Sequence, residues 1–160
     1  MKLTHTHQYT QNVDAIYTSC MNADFIKAKM NALGARNIEV TIQQKTDSMV
    51  IEIIRKTPVE VPNALKSLVQ PWSKMTQTEV WKGQSGGPYY CKIDIKLQGI
   101  PLNIQGQMKL ADHDGGTAVA SITEVNCTIP FIGRALTNFI GDTSKKAIEQ
   151  EFAYIGQHVD

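Results

Sequence analysis

Two glutamates are the residues best suited to acid–base chemistry. Glu79 lies in the alternating stretch from Trp72 to Trp81, and Glu124 lies in a second such stretch between Thr117 and Ile129. A carboxyl group buried in an apolar cavity has a raised pKa, which suits proton transfer in a cyclase or hydrolase. Glutamates are mostly found in solvent. We therefore expect both side chains to point outward.

Histidines could supply metal ligands in two places. His5 and His7 share one face of an alternating segment, a spacing that some metal sites use, and His113 lies in the acidic turn 112–116. A zinc site needs three or four convergent ligands, and the sequence identifies no third one. The turn also lacks the remaining ligands and the closing glutamate of a calcium loop. We expect no metal site and no cofactor.

Neither nucleotide binding nor serine catalysis is indicated by the glycine-rich loop from Gly83 to Pro88. The loop lacks the Lys-Ser/Thr pair of a phosphate-binding loop, and Ser85 has no nucleophile-elbow pattern around it.

The net charge of +1, without a run of basic residues, argues against a protein that binds nucleic acid by neutralising phosphates. We expect no nucleic-acid partner.

The three cysteines indicate a reducing compartment. Cys20, Cys91 and Cys127 are far apart, odd in number and without metal-ligand spacing, which predicts free thiols in a cytoplasmic protein. Residues 1–9 lack the apolar run of a secretory signal, and no stretch is long enough to cross a bilayer. We expect no stable membrane insertion.

Alternating segments provide most of the elements that would position these residues. Seven of them predict strands, at Lys2–Tyr9, Asn37–Lys45, Ser48–Lys56, Trp72–Trp81, Tyr89–Leu97, Leu102–Leu110 and Thr117–Ile129. Two short helices follow the first strand; Asn12 and Asn22 are their caps, and Gly34 ends the second. Asn63–Val69 could add one or two helical turns. The length of 160 residues predicts one domain.

A long helix is predicted from Pro130 to Val159, and its apolar surface is not one straight seam. One stripe contains Ile132, Leu136, Phe139, Ile140 and Thr143 and continues to Ala147, Gln150 and Tyr154; a second, rotated stripe contains Ile148, Phe152, Ile155 and Val159. Two interpretations stay open. Either the helix changes neighbours half-way along, or its small and polar-tipped residues face a space that protein does not fill.

The order of these elements is that of the helix-grip fold, and the sequence resembles the START-like superfamily of polyketide cyclases and birch-pollen allergens. It looks most like an uncharacterised bacterial branch known only as a domain of unknown function. The resemblance rests on Val13–Gly34 with Phe25 and Lys29, on TQTEVW at Thr76–Trp81, and on Ile129–Gly133. It implies an α+β domain spanning residues 1–160, in which a curved antiparallel sheet of about seven strands wraps around the C-terminal helix.

The resemblance further implies a cavity between sheet and helix, of the kind used for lipids, sterols, quinones or polyketides. The inward positions of the strands and the first helix stripe would line it. These expected ligand-binding residues are Met75, Tyr89, Ile93, Ile95, Ile104, Gly106, Met108, Thr123, Val125, Phe139, Thr143, Ala147, Gln150 and Tyr154. Gly106 interrupts an inward row and leaves room for a ligand or for a bend in the sheet.

Three kinds of function stay open on the sequence. The first is a carrier or sensor of an apolar small molecule, which the aliphatic inward rows favour. The second is a cyclase or hydrolase, whose acid and base could come only from Glu79, Glu124, Tyr154 or the paired histidines. The third is a protein-interaction module with a filled interior.

Overall fold

The structure is a computed structural model that describes all residues from 1 to 160. Seven strands and three helices make up the chain. In chain order these are β1 (Lys2–Tyr9), α1 (Val13–Cys20), α2 (Ala23–Ala32), β2 (Arg36–Gln44), β3 (Met49–Pro58), β4 (Trp72–Lys82), β5 (Tyr89–Leu97), β6 (Leu102–His113), β7 (Gly116–Cys127) and α3 (Gly133–His158). None of the helices is both long enough and apolar enough to cross a membrane.

The strands form one antiparallel sheet in the order β1-β7-β6-β5-β4-β3-β2. From β2 to β7 each strand pairs with the next one in the chain, and β1 pairs with β7. The two edge strands, β1 and β2, are joined by α1 and α2. The sheet curves around α3, which packs against β7, β1 and α2. This is the helix-grip arrangement that the sequence predicted.

Local signals in the sequence explain where the two short helices begin and end. The side chain of Asn12 accepts a hydrogen bond from Ala15 N (2.9 Å), and that of Asn22 accepts one from Phe25 N (3.0 Å). Each bond satisfies an amide that the first helical turn leaves free. Gly34 follows α2 with a φ of 95°, a conformation that glycine adopts without steric cost.

Alternation along the strands sets which side chains face α3. On β1 the inner residues are Leu3, His5, His7 and Tyr9; on β7 they are Val119, Ser121, Thr123, Val125 and Cys127. The other face of β7, with Ala118, Ala120 and Ile122, is the outer one, and Ile122 is 41% exposed.

Some boundaries differ from the sequence-based expectations. Helix α3 begins at Gly133, because Phe131 has a φ of 66° and residues 130–132 form a turn. The segment from Asn63 to Val69 contains a single 3-10 turn, Asn63–Leu65, and not a longer helix. Leu65 and Val69 are nevertheless buried, as the pattern predicted.

Two clusters of buried apolar side chains lie under the helices. The first contains 15 buried residues from α1, α2, the sheet and the end of α3, including Ile16, Trp81 and Phe152. The second contains nine and includes Leu136 and Ile140 from the start of α3. In the middle of α3, Ile148 packs against the first cluster, but Ser144 and Ala147 are small, so side chains do not fill the space between the two clusters.

Candidate functional site

A cavity of about 160 Å³ lies between the sheet and the middle of α3. Its lining is mostly apolar and comes from the inner faces of β3 to β7, with further residues from β1, α1 and α2. The residues that α3 contributes are Ser144, Ala147, Ile148, Glu151, Phe152 and Ile155. The cavity therefore occupies the place that the resemblance implied, between the sheet and the C-terminal helix.

Most of the strand residues expected at a ligand site line this cavity. Those that the structure brings there are Met75, Ile93, Ile95, Ile104, Gly106, Met108, Thr123 and, from the helix, Ala147. A Cβ atom at Gly106 would lie 3.4 Å from Ile93 Cβ and 3.6 Å from the Ile122 carbonyl oxygen, which are ordinary contacts. No close backbone approach requires a glycine at this position.

Two expected strand residues lie elsewhere in the interior. Tyr89 stacks on Tyr17 with ring centroids 3.8 Å apart, and its hydroxyl donates a hydrogen bond to Asp14 (2.6 Å). Val125 is fully buried in the second apolar cluster, with Leu136. Both residues point inward as the alternation predicted, but they lie beyond the ends of the cavity.

The helix residues expected at the site are mostly outside it. Phe139 packs against the second cluster, and the hydroxyl of Thr143 donates a hydrogen bond to the Phe139 carbonyl (3.0 Å). Gln150 is exposed, and Tyr154 stacks on His158 with ring centroids 3.8 Å apart. Beyond Ala147, the stripe with Ile148, Phe152 and Ile155 faces the cavity, and the stripe with Gln150 and Tyr154 does not.

The cavity also holds charged side chains. Lys29 from α2, Arg55 from β3, Glu79 from β4 and Glu151 from α3 all line it, with Gln77. The expectation that Glu79 points outward is therefore wrong. Glu124 is exposed, as expected.

Glu79 is held in place by two neighbours on its own strand. Gln77 Nε2 donates a hydrogen bond to Oε1 (2.6 Å), and Trp81 Nε1 donates one to Oε2 (2.8 Å). Because residues two apart on a strand share a face, Gln77, Glu79 and Trp81 point together into the interior. Each carboxylate oxygen has a donor, which offsets part of the cost of its burial.

Lys29 and Glu151 form an ion pair across the helices, with 3.0 Å between Nζ and Oε2. Burial is the largest single influence on the pKa of Lys29 and lowers it, but Glu151, Cys20 and Glu79 together outweigh burial, so the pKa is raised. Burial alone would likewise raise the pKa of Glu151, but Lys29 and then Arg55 lower it. Both side chains are therefore charged at neutral pH.

Arg55 differs from the other charged residues of the cavity because it has no hydrogen-bond or ion-pair partner in the protein. Only 7% of the residue is exposed, and its Nη1 atom is fully buried without a hydrogen-bond partner. No carboxylate lies within 4.0 Å of the guanidinium. Burial lowers the pKa of Arg55, and the more distant charges of Glu151 and Glu79 oppose this shift.

The thiols near the cavity are neutral. Burial raises the pKa of Cys20, which lines the cavity, to about 11, and burial also raises the pKa of Cys91. A thiol is a nucleophile only as its thiolate. Neither cysteine is therefore activated for covalent chemistry at neutral pH, and all three cysteines are free of disulfides.

The sequence contains a pattern that predicts these charged side chains to point inward, although the sequence-based expectations did not include them. Arg55 is in phase with Ile51 and Ile53 on β3, whereas Glu52 and Lys56 share the other face. On the helices, Lys29 lies three residues after the buried Ile26, and Glu151 lies four residues before the buried Ile155. A charged residue in phase with an apolar row points toward the interior.

The histidines do not assemble a metal site. His5 and His7 lie on the inner face of β1, with ring centroids 5.1 and 5.7 Å from that of Phe152. His113 is the exposed last residue of β6, and its Nε2 atom lies 3.7 Å from the Asp114 carboxylate. The structure brings no group of three His, Cys, Asp or Glu side chains together in a way that could hold a metal ion.

Solved structures share this fold at low sequence identity. Protein TTHA0849 of Thermus thermophilus aligns with a TM-score of 0.66 and 10% identity, over 98% of this chain and 95% of that one. Ara h 8.0201 aligns with a TM-score of 0.60 and 13% identity, over 99% and 96%. A point mutant of norcoclaurine synthase from Thalictrum flavum, in complex with a transition-state analogue, aligns with a TM-score of 0.60 and 13% identity, over 99% and 95%.

Sequence comparison gives the family. No curated protein matches the chain significantly. A family model described as "Protein of unknown function (DUF2505)" matches residues 4–159, nearly the whole chain. The chain therefore belongs to the DUF2505 family.

Proposed function

We propose that this protein binds a small, mainly apolar molecule in the cavity between the sheet and α3. The cavity itself carries the proposal, because it lies between the sheet and α3 and most of the residues that line it are hydrophobic. Sites for small molecules are usually concave, mostly apolar and supplied with a few polar groups that fix the ligand's orientation. This cavity has both features.

The volume of the cavity limits the size of the ligand. An engineered cavity of about 150 Å³ in another protein accommodates benzene, and this one measures about 160 Å³. A substituted single ring or a short chain fits this space. Among the ligand classes implied by the superfamily, a single-ring quinone or a small polyketide fragment fits better than a whole sterol or a long-chain lipid.

Binding without catalysis is favoured by the state of the charged groups. A general acid or base works best when its pKa lies near the working pH. Here the pKa of Glu151 is lowered and that of Lys29 is raised, so both pKa values are shifted away from neutral pH. Glu79 already accepts hydrogen bonds at both oxygens. A cyclase or hydrolase therefore has less support than a carrier or sensor.

A purely structural interaction module also has less support. That alternative required a filled interior, and the middle of α3 leaves about 160 Å³ against the sheet. Placing four charged side chains inside also costs stability that an apolar core would not. Such a cost is typical of sites that recognise a ligand.

Native mass spectrometry of the freshly purified protein tests the proposal. We expect a stoichiometric adduct in the native spectrum that is lost on denaturation, and solvent extraction should identify it as a small, mainly apolar compound. Protein without an adduct should gain thermal stability with some members of a set of single-ring compounds, because a ligand that binds only the folded state stabilises it. Absence of both an adduct and any stabilising compound would contradict the proposal.

A further inference from the structure

We propose that the guanidinium of Arg55 anchors the ligand through a neutral carbonyl oxygen. This inference rests on the proposed function and specifies the polar end of the ligand. The class of ligand is then a small aryl or alkyl ketone, ester or amide, whose carbonyl lies at Arg55 and whose apolar part lies against the aliphatic lining.

Arg55 stands apart from the other charged residues of the cavity because it has no partner. Glu151 is paired with Lys29 at 3.0 Å, and Glu79 receives hydrogen bonds from the side chains of Gln77 and Trp81. Arg55 is 7% exposed, its Nη1 has no acceptor, and no carboxylate lies within 4.0 Å. A buried donor without an acceptor is costly, so an acceptor supplied by a ligand would be favourable.

The charges in the cavity indicate that this acceptor is neutral. Lys29 and Arg55 are cations and Glu79 and Glu151 are anions, so the cavity's formal charges balance. A ligand carboxylate would add a third negative charge in a region of low dielectric constant, where like charges repel strongly. A carbonyl oxygen accepts hydrogen bonds from the guanidinium without that repulsion.

The neighbours of Arg55 supply the apolar part of the site. Met75 lies opposite it on β4, and Ile53 precedes it on the same face of β3. Both side chains line the cavity, as do Ile93 and Ile95 on β5. A molecule that reaches Arg55 from the cavity is therefore in contact with aliphatic side chains along the rest of its length.

Three probes with the same number of non-hydrogen atoms test the anchor: acetophenone, isopropylbenzene and benzoate. Calorimetry or NMR titration would compare the wild-type protein with Arg55→Met and with Arg134→Met, which removes an exposed arginine from α3. In the wild type and in Arg134→Met, acetophenone should bind about tenfold or more tightly than either other probe, as expected for a hydrogen bond to a charged donor. In Arg55→Met its advantage over isopropylbenzene should disappear.

Each other outcome has a definite meaning. Equal binding of acetophenone and isopropylbenzene to the wild type would overturn the anchor and leave the proposed function intact. Tightest binding of benzoate would overturn the neutral head group. Failure of all three probes to bind would count against both the anchor and a site for ligands of this size.

Denaturant unfolding provides a readout that needs no ligand. Because Arg55 has no partner, the ligand-free Arg55→Met variant should unfold at a urea concentration no lower than the wild type. A clearly lower midpoint would mean that Arg55 serves the fold, and it would overturn its assignment as an anchor.

Discussion

Lys29 and Glu151 are the two charged residues of the cavity that depend most on each other. They come from α2 and α3, elements that are far apart in the chain, and their side chains are 12% and 24% exposed. Removing one partner of a buried ion pair leaves the other charge uncompensated. The contribution of this ion pair to the free energy of unfolding should therefore be large and should depend on pH.

We expect Glu151→Gln to destabilise the protein by about 3 kcal/mol at pH 7, because Lys29 keeps its charge and loses its partner. The matched control is Glu149→Gln on the exposed face of the same helix, which should change the stability by less than about 0.5 kcal/mol. Urea unfolding measures both. A loss below about 1 kcal/mol for Glu151→Gln would show that the pair contributes little.

The same pair predicts a pH profile. Because the pKa of Glu151 is lowered from its ordinary value of 4.5, its stabilising effect is present above that value and is lost as the pH falls through the folded-state pKa. Because the pKa of Lys29 is raised from 10.5, its effect is present below that value and is lost only as the pH rises past the folded-state pKa. The stability difference between wild type and Glu151→Gln should therefore be level around neutral pH and should shrink as the pH falls below 4.5. A difference that stays constant down to pH 2 would contradict the assigned shift.

At the scale of elements, α1 is tied to the loop between β4 and β5 by one carboxylate. Asp14 accepts hydrogen bonds from Gly86 N (2.9 Å), from the hydroxyl of Ser85 (3.2 Å) and from the hydroxyl of Tyr89 (2.6 Å). The bond from Tyr89 is the main cause of the lowered pKa of Asp14, followed by the bond from Gly86. The glycine-rich loop is thus held by the helix next to it.

Asp14→Ala should release this loop while leaving the sheet paired. Amide hydrogen exchange at Gly86 should become faster, because its acceptor is removed. Asp24→Ala is the matched control, since Asp24 occupies the same first-turn position in α2 and follows the same kind of asparagine cap. Unchanged exchange at Gly86 in Asp14→Ala would mean that the loop is held by its other contacts.

Helix α3 shows why the elements were predicted better than the site. Strands such as β5 have strict alternation, so the sequence alone identified their bounds and inner face. The second half of α3 has apolar residues on two rotated stripes, and only the packing decides between them. Phe152 and Ile155 are buried against the first cluster, which turns Glu151 into the cavity and leaves Tyr154 to stack on His158.

Across the whole molecule, the cavity exists because two apolar clusters form at opposite ends of the sheet. Leu136 and Ile140 anchor one end of α3, and Phe152 and Ile155 anchor the other. The helix therefore cannot move onto the sheet in the middle, where Ser144 and Ala147 are too small to reach it. The family resemblance implied a space between sheet and helix, but which charges lie in it depended on contacts between distant segments, such as that of Lys29 with Glu151.

Filling the cavity tests this account at the scale of the whole domain. Gly106→Leu should abolish binding of single-ring ligands and should not lower the unfolding midpoint, because a Cβ atom there makes ordinary contacts and the rest of the side chain enters the apolar cavity. Gln105→Leu, on the exposed face of the same strand, should leave binding unchanged. Calorimetric titration and thermal melts measure both variants. Retained binding in Gly106→Leu would place the ligand elsewhere.

The pairing of β1 with β7 has a consequence for synthesis on the ribosome. Strands β3 to β7 can each pair with the strand made just before, but Lys2 of β1 must wait for Glu124 of β7. At about 5–20 residues per second, the ribosome needs on the order of ten seconds to make the intervening chain. During that time the first strand to emerge has no partner, and it joins the sheet last.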